Sequence, residues 1–420
     1  MTAIPTFGET LPGLLMECVV DPKHADRLLL HTWDGHRTST APTVEAGGRL
    51  YVPKKLDSGL AQSVRLAPPS VAFGSTGKLL SSMRDSWLKY ARLQPEVADL
   101  LVACGVASWF SDLMTVALIL YVLGPASAVT DLLRLLACFC RRPVLVGDID
   151  AGGLATLPTG LGATFLINQR DLGRRVQRTL LSSTRRDFCV IRGKQRVDLY
   201  GARVFSADDF LEGDLGLMCS ISPAQTPLPI LTEEQEQLMA RSFQARLLRY
   251  RLLNYERVRE QTIDTSAFVP ELQEEARSWL APIVEFPELT KSVSAEILRK
   301  SQDLAGSRFA DPKTVVVETA LFLCHKPDAK DFLVGELTQA ANDLLKGRHE
   351  AIELFAKMVG LLLRDLGIPD KREAAGYRVA LTEAVRKRIH QLAAGYRVAS
   401  LDSGIRRCAH CPEQTSPRPP

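Results

Sequence analysis

Apolar residues along the chain fall into several distinct patterns, and each predicts a different kind of element. Over 1–75 they come in short runs, Leu14–Val20, Arg27–Trp33 and Arg49–Val52. The turn signals Asp21-Pro22, Asp34-Gly35 and Gly47-Gly48 divide them, which predicts a β-rich N-terminal domain. A helical connector follows over 76–112, from about Thr76 to Trp109. The pattern then changes to unbroken β-branched and apolar runs at Val116–Leu123, Val144–Ile149 and Ala163–Ile167, with Ala202–Ser206 and Leu217–Ile221 further on. Such runs mark strands buried on both faces. The helical stretches between them, Asp131–Cys140 and Asp171–Ser183, predict an α/β domain over 113–262 with a mainly parallel sheet and the first strand central. Phe188–Ile191 and Val197–Tyr200 flank Arg192-Gly193-Lys194-Gln195, the expected tip of a hairpin.

From Thr232 onward the pattern is helical. Thr232 and Gln235 have capping-box spacing at the head of a helix expected to reach Glu260. A helical region over 263–330 follows, with helices near Pro270–Ala281 and Ser294–Leu304. The unit over 331–400 has helices at Asp331–Lys346 and Ala351–Leu366, each stopped by a glycine. Next come a basic turn at Lys371-Arg372, a strand at Tyr377–Leu381 and a helix capped by Thr382. Residues 401–420 read as a disordered tail. Ala-Ala-Gly-Tyr-Arg-Val-Ala occurs at 374–380 and again at 393–399. Two copies make no repeat architecture, and we have no physical account of them.

Composition narrows the class. With 420 residues, 46% hydrophobic and 24% charged, the chain is a folded protein of several domains rather than a disordered one. The net charge of +4 leaves nucleic-acid binding to local patches. Arginine greatly outnumbers lysine, which suits phosphate but also follows from genome composition. Nine cysteines, an odd number, and no basic or apolar leader at Met1–Gly8 predict a cytoplasmic protein with free thiols. Cys408-Ala409-His410-Cys411 has no second ligand pair near it in sequence, so no metal is expected there. Leu113–Thr130 is uncharged and long enough to span a bilayer, but Gly124-Pro125 breaks it, so no membrane partner is expected.

The first buried strand leads into Gly124-Pro125-Ala126-Ser127-Ala128 and a helix, the setting of a phosphate-binding loop. Such a loop needs backbone N–H groups around the anion, a lysine on the terminal phosphates and a hydroxyl on magnesium. Aligning on Leu132–Leu136 puts Val129 where the lysine should stand and leaves Thr130 as the hydroxyl. The third strand should end in Asp-Glu, one acid for the magnesium shell and one for the attacking water. It ends instead in Asn168-Gln169, amides that cannot act as a general base.

On Leu123-Gly124-Pro125, Leu132–Leu136, Arg141-Arg142-Pro143 and Thr164–Gln169, residues 110 to 260 resemble the P-loop ATPases that include AAA+ and helicase proteins. More narrowly, they are similar to the helicase-like ATPases of phages and mobile elements. The resemblance implies a P-loop NTPase-like parallel sheet core and puts Ser206 at a polar sensor position. No arginine finger stands in Gly213–Leu217. The implied remnant of a nucleotide site is Gly124, Val129, Thr130, Asn168, Gln169 and Ser206. Read without the resemblance, the same residues are strand ends of an unrelated α/β domain.

The C-terminal unit resembles winged-helix domains. Val359–Ile368 is similar to their recognition helix and Lys371–Arg378 to their wing. Such a unit places Lys357, Arg364, Lys371, Arg372 and Arg378 near DNA phosphates, although winged helices also dock proteins. A second basic stretch, Arg174–Arg196, has eight basic residues and one acid, Asp187. Its hairpin tip, with Arg192 and Lys194, would face a DNA strand in the helicase-like reading, and a solvated basic surface otherwise. The expected function is that of a non-catalytic, DNA-binding relative of a mobile-element helicase ATPase, pairing with itself or an active homologue and using no cofactor. Two alternatives stand beside it. One is an active ATPase that takes ATP and magnesium and draws its lysine from elsewhere, with Lys194 as the candidate. The other is a protein-binding scaffold.

Overall fold

The computed structural model describes residues 3–398 apart from 25, 57–58, 60–62, 92, 155, 157–159, 193, 208–214, 223–227, 375 and 397; at 192, 195 and 307–310 it describes the backbone alone. The expected tail, with Cys408 and Cys411, lies outside the described residues. The chain divides into two units, 1–301 and 302–420.

The first unit begins with β1 (Ala3–Thr6), β2 (Gly8–Leu11), β3 (Leu14–Val20), β4 (Leu28–Trp33), β5 (Thr38–Ala41), β6 (Val44–Ala46) and β7 (Arg49–Pro53). Strands β2-β3-β4-β5 form an antiparallel meander, and β1-β7-β6 form a second small sheet. The single helical stretch expected to follow is two helices, α1 (Thr76–Tyr90) and α2 (Pro95–Ser108). Pro95 causes the break. It has no N–H to continue a helix, and it holds Gln94 extended at φ −60°, ψ 147°.

The α/β part follows as β8 (Ile119–Leu123), α3 (Ala126–Ala137), β9 (Pro143–Val146), α4 (Ala151–Leu154), β10 (Thr164–Ile167), α5 (Arg174–Ser182), β11 (Val190–Arg192), β12 (Gln195–Val197), β13 (Arg203–Ser206) and β14 (Leu217–Ser220). The five expected buried strands make one sheet, parallel throughout, in the order β14-β8-β13-β10-β9. The first strand is not central: β13 takes the middle and separates β8 from β10. All of these strands are apolar, so hydrophobic pattern says nothing of their order. Strands β11 and β12 form the expected hairpin. Val116–Thr130 is strand, turn and helix, and among the described residues no helix is long and apolar enough to cross a membrane.

Helix α6 (Glu233–Glu260) carries the expected capping box, and α7 (Pro270–Leu280) and α8 (Pro287–Ala310) follow it. The second unit contains α9 (Pro312–Cys324), β15 (Asp331–Leu333), α10 (Val334–Gly347), α11 (Ala356–Asp365), β16 (Lys371–Glu373), β17 (Gly376–Ala380) and α12 (Glu383–Gly395). Asp331–Leu333 is a strand rather than the first turn of a helix. It pairs with Arg378–Ala380, and α10 starts only where Glu336 accepts the Leu333 N–H at 2.9 Å. Strands β15-β17-β16 form an antiparallel sheet beside four helices.

A buried charge cluster joins the parts of the first unit. Glu17, at the centre of apolar β3, accepts from Arg141 at 2.6 Å, Arg142 at 2.5 Å and Arg251 of α6 at 2.8 Å. The four side chains are at most 6% exposed. Arg251 also grips half-buried Asp112 with both terminal nitrogens, at 2.7 and 2.6 Å. Arg142 also donates to the carbonyls of Phe7 and Leu161, from a left-handed backbone at φ 47°. Burial alone would raise the Glu17 carboxyl, but Arg141, Arg142 and Arg251 outweigh it and hold the group at about 2, against an ordinary 4.5.

A carboxyl lowered on folding supplies stability above its unfolded value, and that stability is lost as pH falls through the folded value. Glu17 should therefore contribute about 3 kcal/mol above pH 4.5, lost progressively toward pH 2. Glu17→Gln should lower the unfolding free energy at pH 7 by about 3–5 kcal/mol, because it removes the carboxylate that three buried guanidiniums share and leaves only Asp112 opposite them. It should also flatten the decline between pH 4.5 and 2. Denaturant titrations across that range check both effects, and a loss under about 1 kcal/mol at pH 7 would refute the role.

Candidate functional site

The chain leaves β8 toward β9 on one side of the sheet and leaves β13 toward β14 on the other. Adjacent strands whose connections diverge open a crevice at their carboxyl ends, where open α/β sheets bind ligands. Gly124, Ser206 and Asn168 stand at the ends of β8, β13 and β10, and α3 starts at the crevice.

Here Asn168 donates from Nδ2 to Thr130 Oγ1 at 2.8 Å, and Thr130 Oγ1 donates to the Ala126 carbonyl at 2.8 Å. The amide and the hydroxyl therefore meet across 38 residues of sequence and bind each other. Gln169 does not join them. Its Oε1 accepts the Ile149 N–H at 2.9 Å, in the loop after β9. Ser206 is buried, and its Oγ has no hydrogen-bond partner among the described residues. Arg170, exposed, donates from Nη2 to the Gly124 carbonyl. Sequence reasoning passed over Arg170, and its position directly after Gln169 was the available signal.

Two residues serve packing. Val129 is fully buried on the core side of α3 with Leu132, Leu133 and Leu136. Gly124 is needed for close approach, because a Cβ there would lie 2.3 Å from Ile221 Cγ1 and 2.8 Å from its carbonyl oxygen. The N-cap of α3 is Pro125, which has no N–H to offer an anion and makes no side-chain cap. Beside this helix end lies a cleft of about 410 Å³, lined by Tyr90, Leu93, Pro125, Ile221, Ile230 and also Asp131. Among the described residues no cluster of three His, Cys, Asp or Glu side chains is placed to hold a metal. The residues present do not fit a magnesium-bound triphosphate, since the lysine position is core and both acid positions are amides, Asn168 bonded to the Thr130 hydroxyl and Gln169 to the loop after β9.

Another cation near the sheet has a structural job. Arg203, fully buried at the start of β13, donates to the carbonyls of Leu199, Gly201 and Ala202 and lies over the Phe165 ring at 4.4 Å. Burial pulls its pKa down to about 9.

The basic candidates form two groups, one in each unit. On the first unit, α5 buries Val176 and Leu180 and turns Arg174, Arg175 and Arg178 outward. Arg185, Arg186, Lys194 and Arg196 are exposed beyond it, with Phe188 54% and Ile191 73% exposed among them. Arg192 is on the hairpin backbone. On the second unit, Lys357, Lys371 and Arg372 are exposed and have no ion-pair partner among the described residues. Arg364 and Arg378 are engaged: Arg364 with Asp370 at 3.2 Å and the Tyr377 ring, Arg378 with Asp331 at 2.5 Å and Glu373 at 2.8 Å. Helix α11 shows solvent an apolar face, with Phe355 67%, Met358 39% and Leu361 54% exposed.

Because Val129 is core, restoring a lysine there should damage the fold rather than create a phosphate ligand. Val129→Lys is expected to cost at least about 3 kcal/mol of stability, the scale of an unpaired buried charge. A variant as stable as the parent in urea titration would show that position 129 can face the crevice.

No family model matches the sequence, and no curated relative matches it. Two solved structures, both described as the A form apo structure of the NrS-1 C terminal region, are distantly similar. One is 9% identical, with 88% of this chain and 97% of that chain covered. The other, over residues 305–718 of that protein, is 10% identical, with 87% and 96% covered. Each has a TM-score of 0.33, too low to carry an argument about fold or function.

Proposed function

We propose that this chain is a non-catalytic relative of the helicase-like P-loop ATPases that binds DNA, in keeping with a role in mobile-element replication. The observation that carries the reading is the Asn168–Thr130 hydrogen bond, 2.8 Å long, at the crevice where β8 and β13 diverge. The strand with the amides reaches the helix after the first strand, and β13 with Ser206 lies between β8 and β10, which supports the ATPase resemblance. A carboxylate at 168 beside the Thr130 hydroxyl would make a magnesium site; an amide hydrogen-bonded to that hydroxyl does not. The active-ATPase alternative would need Lys194, which stands at the exposed turn of the β11–β12 hairpin.

Two observations support DNA as the partner. The α5 and hairpin surface concentrates positive charge around an exposed aromatic, Phe188, the combination that holds single strands. In the second unit the order helix, strand, helix, helix, two-stranded hairpin is that of a winged helix, with Lys371 and Arg372 on the wing. The face of α11 favours a further reading. Phe355, Met358 and Leu361 offer no hydrogen-bonding group to a base edge, so that helix suits a protein partner while the wing meets phosphate.

Phosphate contacts release counterions, so affinity should fall steeply with salt. Replacing Lys371 and Arg372 together by Ala should shrink the slope of log affinity against log salt by roughly two units, with a similar loss on every DNA sequence. Fluorescence anisotropy across a salt series measures this. An unchanged slope removes the wing from DNA, and an absence of binding altogether removes DNA as the partner.

A further inference from the structure

In the second unit two histidines far apart in sequence meet ring to ring. His325 is the C-cap of α9, and His390 lies on α12, which packs on α9. Their Nε2 atoms are 3.1 Å apart, with ring planes inclined at 70°. The other nitrogen of His390, Nδ1, is 2.7 Å from the Arg386 carbonyl oxygen. That contact requires an N–H on Nδ1, which leaves the Nε2 lone pair directed at His325. A backbone carbonyl holding the far nitrogen is the usual support of a metal-ligating imidazole.

We propose that His325 and His390 together bind a divalent transition-metal ion of the zinc class. Zinc takes imidazole nitrogens at about 2.0–2.1 Å in a tetrahedral shell, so two ligating nitrogens stand about 3.3 Å apart. The observed 3.1 Å needs only a small opening of the pair. Both rings are half-buried, so water can complete the shell. Among the described residues no third His, Cys, Asp or Glu joins them, so the site is a two-imidazole clamp with solvent ligands. Arg386 is the opposing charge, and its guanidinium is tied to the carbonyls of Cys324 and Ala329. The ion would staple the end of α9 to α12, so binding should also stabilise this unit.

The test uses the full chain, reduced, at neutral pH, titrated with Zn²⁺ by calorimetry and with Co²⁺ by visible absorption. One equivalent should bind, and the melting temperature should rise with metal concentration. His325→Asn and His390→Asn should each weaken binding by at least about tenfold, since losing a mere outer-shell partner already costs that much. Circular dichroism of the variants shows that they remain folded. Cys408→Ser with Cys411→Ser is the control for the cysteine pair beyond the described residues. Weakening in the histidine variants supports the site whether or not these cysteines contribute. No binding and no thermal shift in the parent, or binding lost only in the cysteine variant, overturns it and leaves the two rings as a neutral hydrogen-bonded pair.

Discussion

The first unit is organised around one carboxylate. Glu17 sits in the middle of Leu-Leu-Met-Glu-Cys-Val-Val, a strand that would otherwise be wholly apolar. Burying it alone would be prohibitive, so three guanidiniums converge on it from two separate stretches of chain. Arg141 and Arg142 come from the segment between α3 and β9, and Arg251 from the middle of the 28-residue α6. Each arginine then reaches further, to Asp112 or to the carbonyls of Phe7, Trp109 and Leu161. The N-terminal meander is thereby tied to the edge strand of the parallel sheet and to the long helix. A pair replaced by apolar residues could be equally stable, but removing one member leaves charge buried without a counterpart.

At the crevice, the candidate residues are engaged with one another or with the core. Its hydroxyl is taken by its own amide, its glycine by Ile221 and its would-be lysine by the core. Each is a local packing or hydrogen-bond solution. Exposed positive charge lies on Arg170 at the crevice and on α5, the β11–β12 hairpin and β16.

Elements governed by local rules were legible in the sequence. The five buried strands, the Thr232 capping box, the Pro-free course of α6 and the Thr382 cap all follow from neighbours within a few residues. Elements governed by remote partners were not. Helix α9 is apolar almost all round, so it has little amphipathic period to read, although Asp311-Pro312 is a sound start signal and Asp311 caps Thr314 at 2.8 Å. Strand β15 is three residues long and exists because β17 pairs with it. At the crevice the residue types Thr130 and Asn168 could be read, but their contact depends on strand order, which hydrophobicity does not encode. Arg141 and Arg142 drew notice as part of an ATPase-like pattern, yet their visible work is on Glu17, a partner 124 and 125 residues away. The His325–His390 pair, 65 residues apart, had no sequence signal at all.

The central claim is that the crevice beside Thr130 no longer works on nucleotide. Hydrolysis of magnesium-ATP by the full chain, followed with and without single-stranded DNA, tests it most directly. The account predicts no phosphate release above a protein-free control under either condition. Turnover of even about one per second, the low end for phosphoryl transfer, that vanished in Thr130→Ala would contradict it.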